Sequence, residues 1–184
     1  MKTYVILLRG LMPTGKNKVL MAPLRQVLVD AGFVDVRTYI QSGNVIARSV
    51  LGGSQVEKLV HHEIQKHFGG DIAVLARTPL QVRKIFADNP FKDVDAARVY
   101  FTILGRKPAK EKVNFLASQE FSPDRFIVTN EAVYIQCPVA YGLTKLNNNF
   151  IERTLDVFAT TRNHRTMSKL IELSQTVGSN LKKD

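Results

Sequence analysis

Apolar positions along the chain switch between a spacing of two and a helical spacing, and they divide it into short strands and helices. Residues 3–9 form a β-rich apolar run, as in a strand covered on both faces. Leu20, Leu24, Val27 and Leu28 then share one helical face over residues 19–30, and Gly32 stands where that helix would stop. Val34, Val36, Thr38 and Ile40 recur at period two, Ser42-Gly43-Asn44 follows, and residues 45–47 resume the pattern. This predicts a hairpin in which Gly43 or Asn44 supplies the positive φ of the turn. Val56, Leu59, Val60 and Ile64 mark a helix ending at Phe68, with Ser54 as its N-cap, Glu57 as capping-box partner and Gly69-Gly70 as its end. Residues 72–76 return to strand. The order is β-α-β-β-α-β, that of a ferredoxin-like unit.

The second half comes close to repeating the first. A short helix over residues 79–87 and a proline-containing connector (88–96) lead to a strand at 99–104 and a helix at 108–117. A hairpin follows from 126–128 and 133–137, turning at Thr129-Asn130-Glu131, and helices at 148–155 and 163–177 close the chain before a frayed tail, 178–184. The reading is an α+β protein of two ferredoxin-like halves with antiparallel sheets and C-terminal helices. The first half spans 1–78; the second, with the connector helix and the C-terminal helices, spans 79–184.

The loop between the first strand and helix carries the most specific chemistry. Gly10-Leu-Met-Pro-Thr-Gly15-Lys16-Asn17 has the spacing of a phosphate-binding loop, in which glycines let backbone N–H groups curl round a phosphate and a lysine reaches it. Asn17 stands where a Ser or Thr hydroxyl would hold magnesium, and no apolar strand ends in the acidic residue that would place the metal. The loop therefore suits an anion better than magnesium-dependent phosphoryl transfer. Arg9, Gly10, Gly15, Lys16, Asn17 and Lys18 are the candidate anion-binding residues. The start of the following helix is expected to add N–H donors and the favourable end of its dipole.

Charge strengthens that reading. The net charge is +10, and half of it falls in residues 1–48, where seven Lys and Arg face only Asp30 and Asp35. Such an excess favours polyanions through long-range attraction. A second basic group, Arg162, Arg165 and Lys169, has helical spacing and is expected on one face of the last helix, with Met167, Leu170, Ile171, Ser174 and Val177 turned to the core. A row spaced in this way can follow a phosphate backbone. The third strand, Asn44-Val45-Ile46-Ala47-Arg48, has none of the aromatics on which RNA-recognition domains stack bases, and Tyr4 and Tyr39 are the nearby candidates. Phosphate contact is favoured over base stacking on the sheet.

Other chemistry finds less support. His61, His62 and His67 share a helix without the further ligands a zinc site needs, so no metal and no cofactor are expected. Cys137 falls on the apolar side of a strand and reads as a buried thiol rather than a nucleophile. One cysteine cannot form an internal disulfide, no apolar run approaches membrane-spanning length, and no secretory signal is expected. Cytoplasmic residence and no membrane partner are expected. The preferred reading is a binding module for a phosphate-containing ligand, nucleic acid ahead of a phosphorylated small molecule. The alternative is a small-molecule enzyme or regulator with a pocket between the halves, lined by Tyr39, Gln41, Ser42 and Asn44.

Several stretches together resemble a known family: Leu7-Leu8-Arg9-Gly10 with Gly15-Lys16-Asn17-Lys18; Thr38-Tyr39-Ile40-Gln41-Ser42-Gly43-Asn44-Val45; Lys145-Leu146-Asn147-Asn148 with Phe150-Ile151-Glu152; and Ala159-Thr160-Thr161-Arg162-Asn163 with Arg165-Thr166 and Lys169-Leu170. They are similar to the signatures of bacterial domain-of-unknown-function family 1697. The resemblance implies a small cytosolic protein of ferredoxin-like units and brings no established activity or catalytic residues. The chain departs from the family pattern at Leu11-Met12-Pro13-Thr14, where an Asn-Val-Gly-containing loop is usual, and at His164, where an aromatic, often Trp, is usual. Pro13 makes the loop less pliable than a glycine-rich cradle.

Overall fold

The computed structural model describes residues 1–177; the predicted frayed tail lies outside the described residues. The first half folds as β1 (Lys2–Leu8), α1 (Met21–Asp30), β2 (Val34–Tyr39), β3 (Asn44–Ser49), α2 (Gly53–Phe68), β4 (Val74–Arg77) and α3 (Pro79–Ala87). The second gives β5 (Val99–Leu104), α4 (Lys110–Ala117), β6 (Arg125–Val128), β7 (Ala132–Gln136), α5 (Asn148–Leu155), β8 (Ala159–Asn163) and α6 (His164–Thr176). Each half is therefore a complete βαββαβ unit followed by one more helix. The two antiparallel sheets have the orders β2-β3-β1-β4 and β6-β7-β5-β8, the same order in each half. The chain divides into two compact units, residues 1–83 with the part of α6 from Lys169 onward, and residues 84–168.

In the first unit α1 and α2 cover one face of the sheet. Tyr4, Ile6, Leu8, Val45, Ala47, Val74 and Ala76 of the strands are buried against Leu24, Leu28, Val56, Val60 and Ile64 of the helices. Val5, Leu7, Ile46 and Leu75 on the other face are also fully buried, which explains why these strands read as continuous apolar runs rather than alternating ones. The edge strand β2 has a register shift between Val34 and Arg37, and Asp35 there has φ +53. A bulge of this kind twists an exposed edge away from further pairing.

In the second unit α4 and α5 close one face over Leu104, Leu116, Val133, Ile135, Cys137, Ile151 and Leu155. The end of α3 closes the other. The Tyr134 hydroxyl donates to the Ile85 carbonyl at 3.0 Å, and Phe86 stacks on Phe101 with ring centroids 5.5 Å apart.

Three local expectations are corrected. Ser54 does not cap α2: Gly52 is the N-cap, and the Gln55 side chain accepts the Gly52 N–H at 3.0 Å. Glu57 is drawn instead to the sheet, where its carboxylate accepts the Ala76 N–H at 2.9 Å. The hairpin takes its positive φ from Gly43, one of the two residues expected to supply it, and from Ile40 as well. Residues 159–163, absent from the predicted strands, form β8, because Thr102 and Thr161 and their neighbours pair along β5.

Candidate functional site

The loop between β1 and α1 is braced at both ends and across its middle. Leu8 N–H donates to the Gly43 carbonyl at 2.8 Å and Arg9 N–H to the Ala73 carbonyl at 2.9 Å, so the loop leaves the sheet between the β2–β3 turn and the approach to β4. Gly10 and Gly15 both have φ +77. Met12 N–H reaches the Asn17 carbonyl at 3.0 Å, Lys18 N–H reaches the Gly15 carbonyl at 3.1 Å, and the Asn17 amide donates to the Gly10 carbonyl at 3.5 Å. Asn17, which occupies the magnesium-ligand position of a phosphate loop, thus serves as a strut of the loop itself.

This is a different construction from a phosphate loop that opens directly into a helix. Helix α1 begins only at Met21, Leu20 provides no side-chain cap, and Pro23 in the first turn has no N–H to offer. The predicted donors at the helix start shrink to Met21 and Ala22. β1 lies between two antiparallel neighbours, so the parallel βαβ setting of phosphate-loop enzymes is not formed. Lys16 and Lys18 remain: both are exposed, and neither has an ion-pair partner among the described residues. The two acids of the first 48 residues have partners of their own, Asp35 with Arg48 at 3.2 Å and Asp30 with the Gln26 amide at 2.8 Å.

The residues proposed to line a pocket lie beside this loop. The Gln41 amide donates to the Val19 carbonyl at 2.6 Å, and the fully buried Asn44 donates to the Tyr39 carbonyl and the Ser42 hydroxyl, each at 3.0 Å. Gln41 therefore ties down the far end of loop 9–20, and Asn44 shapes the turn that carries Gly43. A Cβ at Gly43 would lie 2.7 Å from Leu8 Cβ and 2.8 Å from Leu11 Cδ1, so the turn and the loop approach as closely as only glycine permits. Residues 9–19 and 39–44, separate in the sequence, converge at one end of the first sheet.

The C-terminal basic group does not share one helical face. Arg162 lies in β8, 8% exposed, and its guanidinium donates to the Thr160 hydroxyl at 2.7 Å and the Thr161 carbonyl at 2.8 Å. Burial brings its pKa down to about 10. The first half repeats the arrangement: Arg77, in β4, donates to the Ala76 carbonyl at 3.0 Å. Arg165 and Lys169 do lie on α6, where Arg165 is exposed and Lys169 pairs with Glu172. Two of the three histidines of α2 have local partners, His61 with the Ile72 carbonyl at 2.9 Å and His67 with Glu63 at 3.2 Å.

The second unit holds a broad cavity of about 690 Å³, open to solvent and closer to a surface depression than to an enclosed chamber, that the sequence pattern did not single out. Arg106, Arg153 and Phe158 are in its wall. One signal pointed to it: Gly105-Arg106-Lys107 follows β5 as Arg9-Gly10 follows β1, and Gly105 N–H pairs with the Phe158 carbonyl at 2.8 Å as Arg9 N–H pairs with that of Ala73.

Residues 1–134, which contain the β1–α1 loop and the whole first sheet, match the model of a family described as protein of unknown function, DUF1697. The chain belongs to that family. The DUF1697 match takes in the whole of loop 9–20 and ends at Tyr134 in β7, so the motifs from Lys145 onward lie beyond it. The fold is similar to the solved structure of the conserved bacterial protein SP0830 from Streptococcus pneumoniae, with a TM-score of 0.75 and 22% identity over 94% of this chain and 98% of that one. At that identity the likeness shows the fold alone. Comparison with curated proteins gives no match.

Proposed function

We propose that this chain is a cytoplasmic binding module for a phosphate-bearing polyanion, with nucleic acid as the ligand class and loop 9–18 as a contact site. The observation that carries the reading is the pair Lys16 and Lys18, both exposed and both without an acidic partner among the described residues, on a loop held by the Gly43, Ala73 and Gln41 bonds. Lysines held on a braced loop lose less conformational freedom on binding than lysines on a mobile one. The local excess of positive charge adds attraction at long range. Of the C-terminal group, the exposed Arg165 is retained as a further phosphate contact; Arg162 serves the strand in which it is buried. The one buried free cysteine agrees with a reducing compartment, and no helix among the described residues is long and apolar enough to cross a membrane.

The test is fluorescence anisotropy of labelled single- and double-stranded RNA and DNA at low and near-physiological salt. Binding should weaken as salt rises, and the Lys16→Ala, Lys18→Ala double variant should lower the slope of log affinity against log salt by about 0.7 to 0.9 for each phosphate that the lysines neutralise. The same affinity and slope in the double variant would remove the loop from the site. No binding at low salt would overturn the polyanion reading as a whole.

A further inference from the structure

We infer that the cavity of the second unit is a nucleotide subsite, in which a base stacks on Phe158 while the phosphate is held by Arg106 and Arg153. The inference takes its ligand class from the proposal above and its geometry from a separate part of the chain.

Phe158 is 38% exposed and forms part of the cavity wall. Its position is fixed from behind: a Cβ on Gly105 would meet three ring carbons of Phe158 at 2.6 to 2.9 Å, so the ring rests directly on backbone at a residue that has no side chain. The Gly105 N–H bond to the Phe158 carbonyl holds the two strand ends together. An aromatic ring backed by backbone and open to a cavity is a platform for a planar ligand, and every nucleobase offers a face for it.

The charges around the platform suit a phosphate. Arg106 Nη2 donates to the Asp156 carbonyl at 2.8 Å and lies 3.9 Å from the Asp156 carboxylate, contacts that hold its guanidinium at the rim, and Arg153 lies with its guanidinium carbon 5.9 Å from the centroid of the Phe150 ring. Arg153 is exposed and has no ion pair among the described residues. The two carboxylates in the wall already have partners. Asp156 pairs with Lys112 at 3.1 Å, and this hydrogen bond, more than any other influence, holds its pKa below the usual carboxylate value; Glu152 accepts the Ala159 N–H at 2.8 Å. Aromatic platform and flanking guanidinium groups together fit a nucleotide, whether free or as one unit of a single strand.

The test uses the full chain, AMP and a labelled 12-nucleotide single-stranded RNA. In proton NMR the base protons of AMP should move upfield on binding as the ring current of Phe158 acts on them, and Phe158→Leu, which keeps apolar cover over Gly105, should abolish the shift. The same variant should weaken RNA binding about tenfold without changing the salt slope, whereas Arg153→Ala should lower that slope by about 0.7. AMP that displaces the RNA at its own binding concentration assigns the site to free nucleotide; RNA binding that AMP does not displace, yet is weakened by Phe158→Leu, assigns it to a strand. Should Phe158→Leu fail to fold by circular dichroism, Arg153→Ala at the exposed rim carries the test through the AMP titration and the salt slope. Equal AMP shifts and equal RNA affinity in wild type and variants would overturn the inference, as would the absence of any AMP shift together with RNA binding insensitive to both variants. The Lys16→Ala, Lys18→Ala variant should leave the AMP shift intact, so failure of the loop reading and failure of this one give different results.

Discussion

The Glu152 carboxylate accepts the backbone N–H of Ala159 at 2.8 Å, and so a helix side chain occupies a hydrogen-bonding position on the edge strand β8. The first half does the same with Glu57 and Ala76 of the edge strand β4. Both acids are the fifth residue of the second helix of their half. An edge strand has backbone donors with no strand to receive them, and a carboxylate placed there satisfies the donor and blocks pairing with another chain. Asn148 reinforces the second of these arrangements, donating to the Ala159 carbonyl and accepting from the Thr161 hydroxyl, both at 3.0 Å.

Removing either acid should therefore destabilise its own half. Glu152→Ala is expected to cost about 1.5 to 3 kcal/mol, the usual range for a hydrogen bond to a charged group, while Glu152→Gln, which keeps an acceptor oxygen, should cost less. Urea unfolding of the three proteins checks this, and equal midpoints would show that the edge N–H gains nothing from the carboxylate.

Gly43→Ala joins two penalties, a Cβ 2.7 Å from Leu8 Cβ and a backbone held at φ +80. A loss of about 1 to 3 kcal/mol is expected. Because Leu11 is the second side chain in the way, the loop should become more open to limited proteolysis between residues 10 and 18 before the protein unfolds. An unchanged cleavage pattern would show that turn and loop are independent.

The Cys137 thiol is pushed up to about 12 by burial, helped by the nearby Asp124 carboxylate. The Tyr134 hydroxyl is also raised to about 12, again by burial first and Asp88 second. Each group keeps its proton more tightly in the folded chain than in the unfolded one. Their contribution is fully present below the ordinary value, near 9.0 for the thiol and 10.0 for the phenol, and is lost as pH rises toward 12. Stability should fall from about pH 9 upward, with the share of the tyrosinate absorbance that Tyr134 contributes appearing only with unfolding. At pH 8 the thiol should resist alkylation until denaturant is added; rapid labelling of the native chain would contradict its burial.

Lys16→Ala and Lys18→Ala should each leave stability within about 0.5 kcal/mol of the parent, as exposed side chains without partners do. A matched thermal melt then separates lost binding from lost fold. A marked drop in Tm would mean that the lysines hold the loop rather than wait for a ligand.

The periodicity of the chain by itself determined the element order of the first half, the helices at Pro79–Ala87 and Asn148–Leu155, the strand at Val99–Leu104 and the two-sheet antiparallel architecture. It also marked loop 9–18 as basic and glycine-punctuated. These are local properties, carried by the spacing of apolar residues and by residue types with a preferred backbone shape. What tertiary structure decided were matters of partnership between distant residues. Ala159 to Asn163 is a strand because β5 offers it a register, and this moves Arg162 from a supposed helix face into a sheet. Glu57 caps an edge strand instead of its own helix because Ala76, nineteen residues away, presents an unpaired donor. Phe158 becomes a platform because Gly105, far off in sequence, has no side chain to displace it. The stretch 159–163, with Thr160 and Thr161 near its centre, has no apolar alternation to mark it, and a single close approach leaves no periodic trace either, since the energy that fixes each comes from a partner the local pattern does not contain.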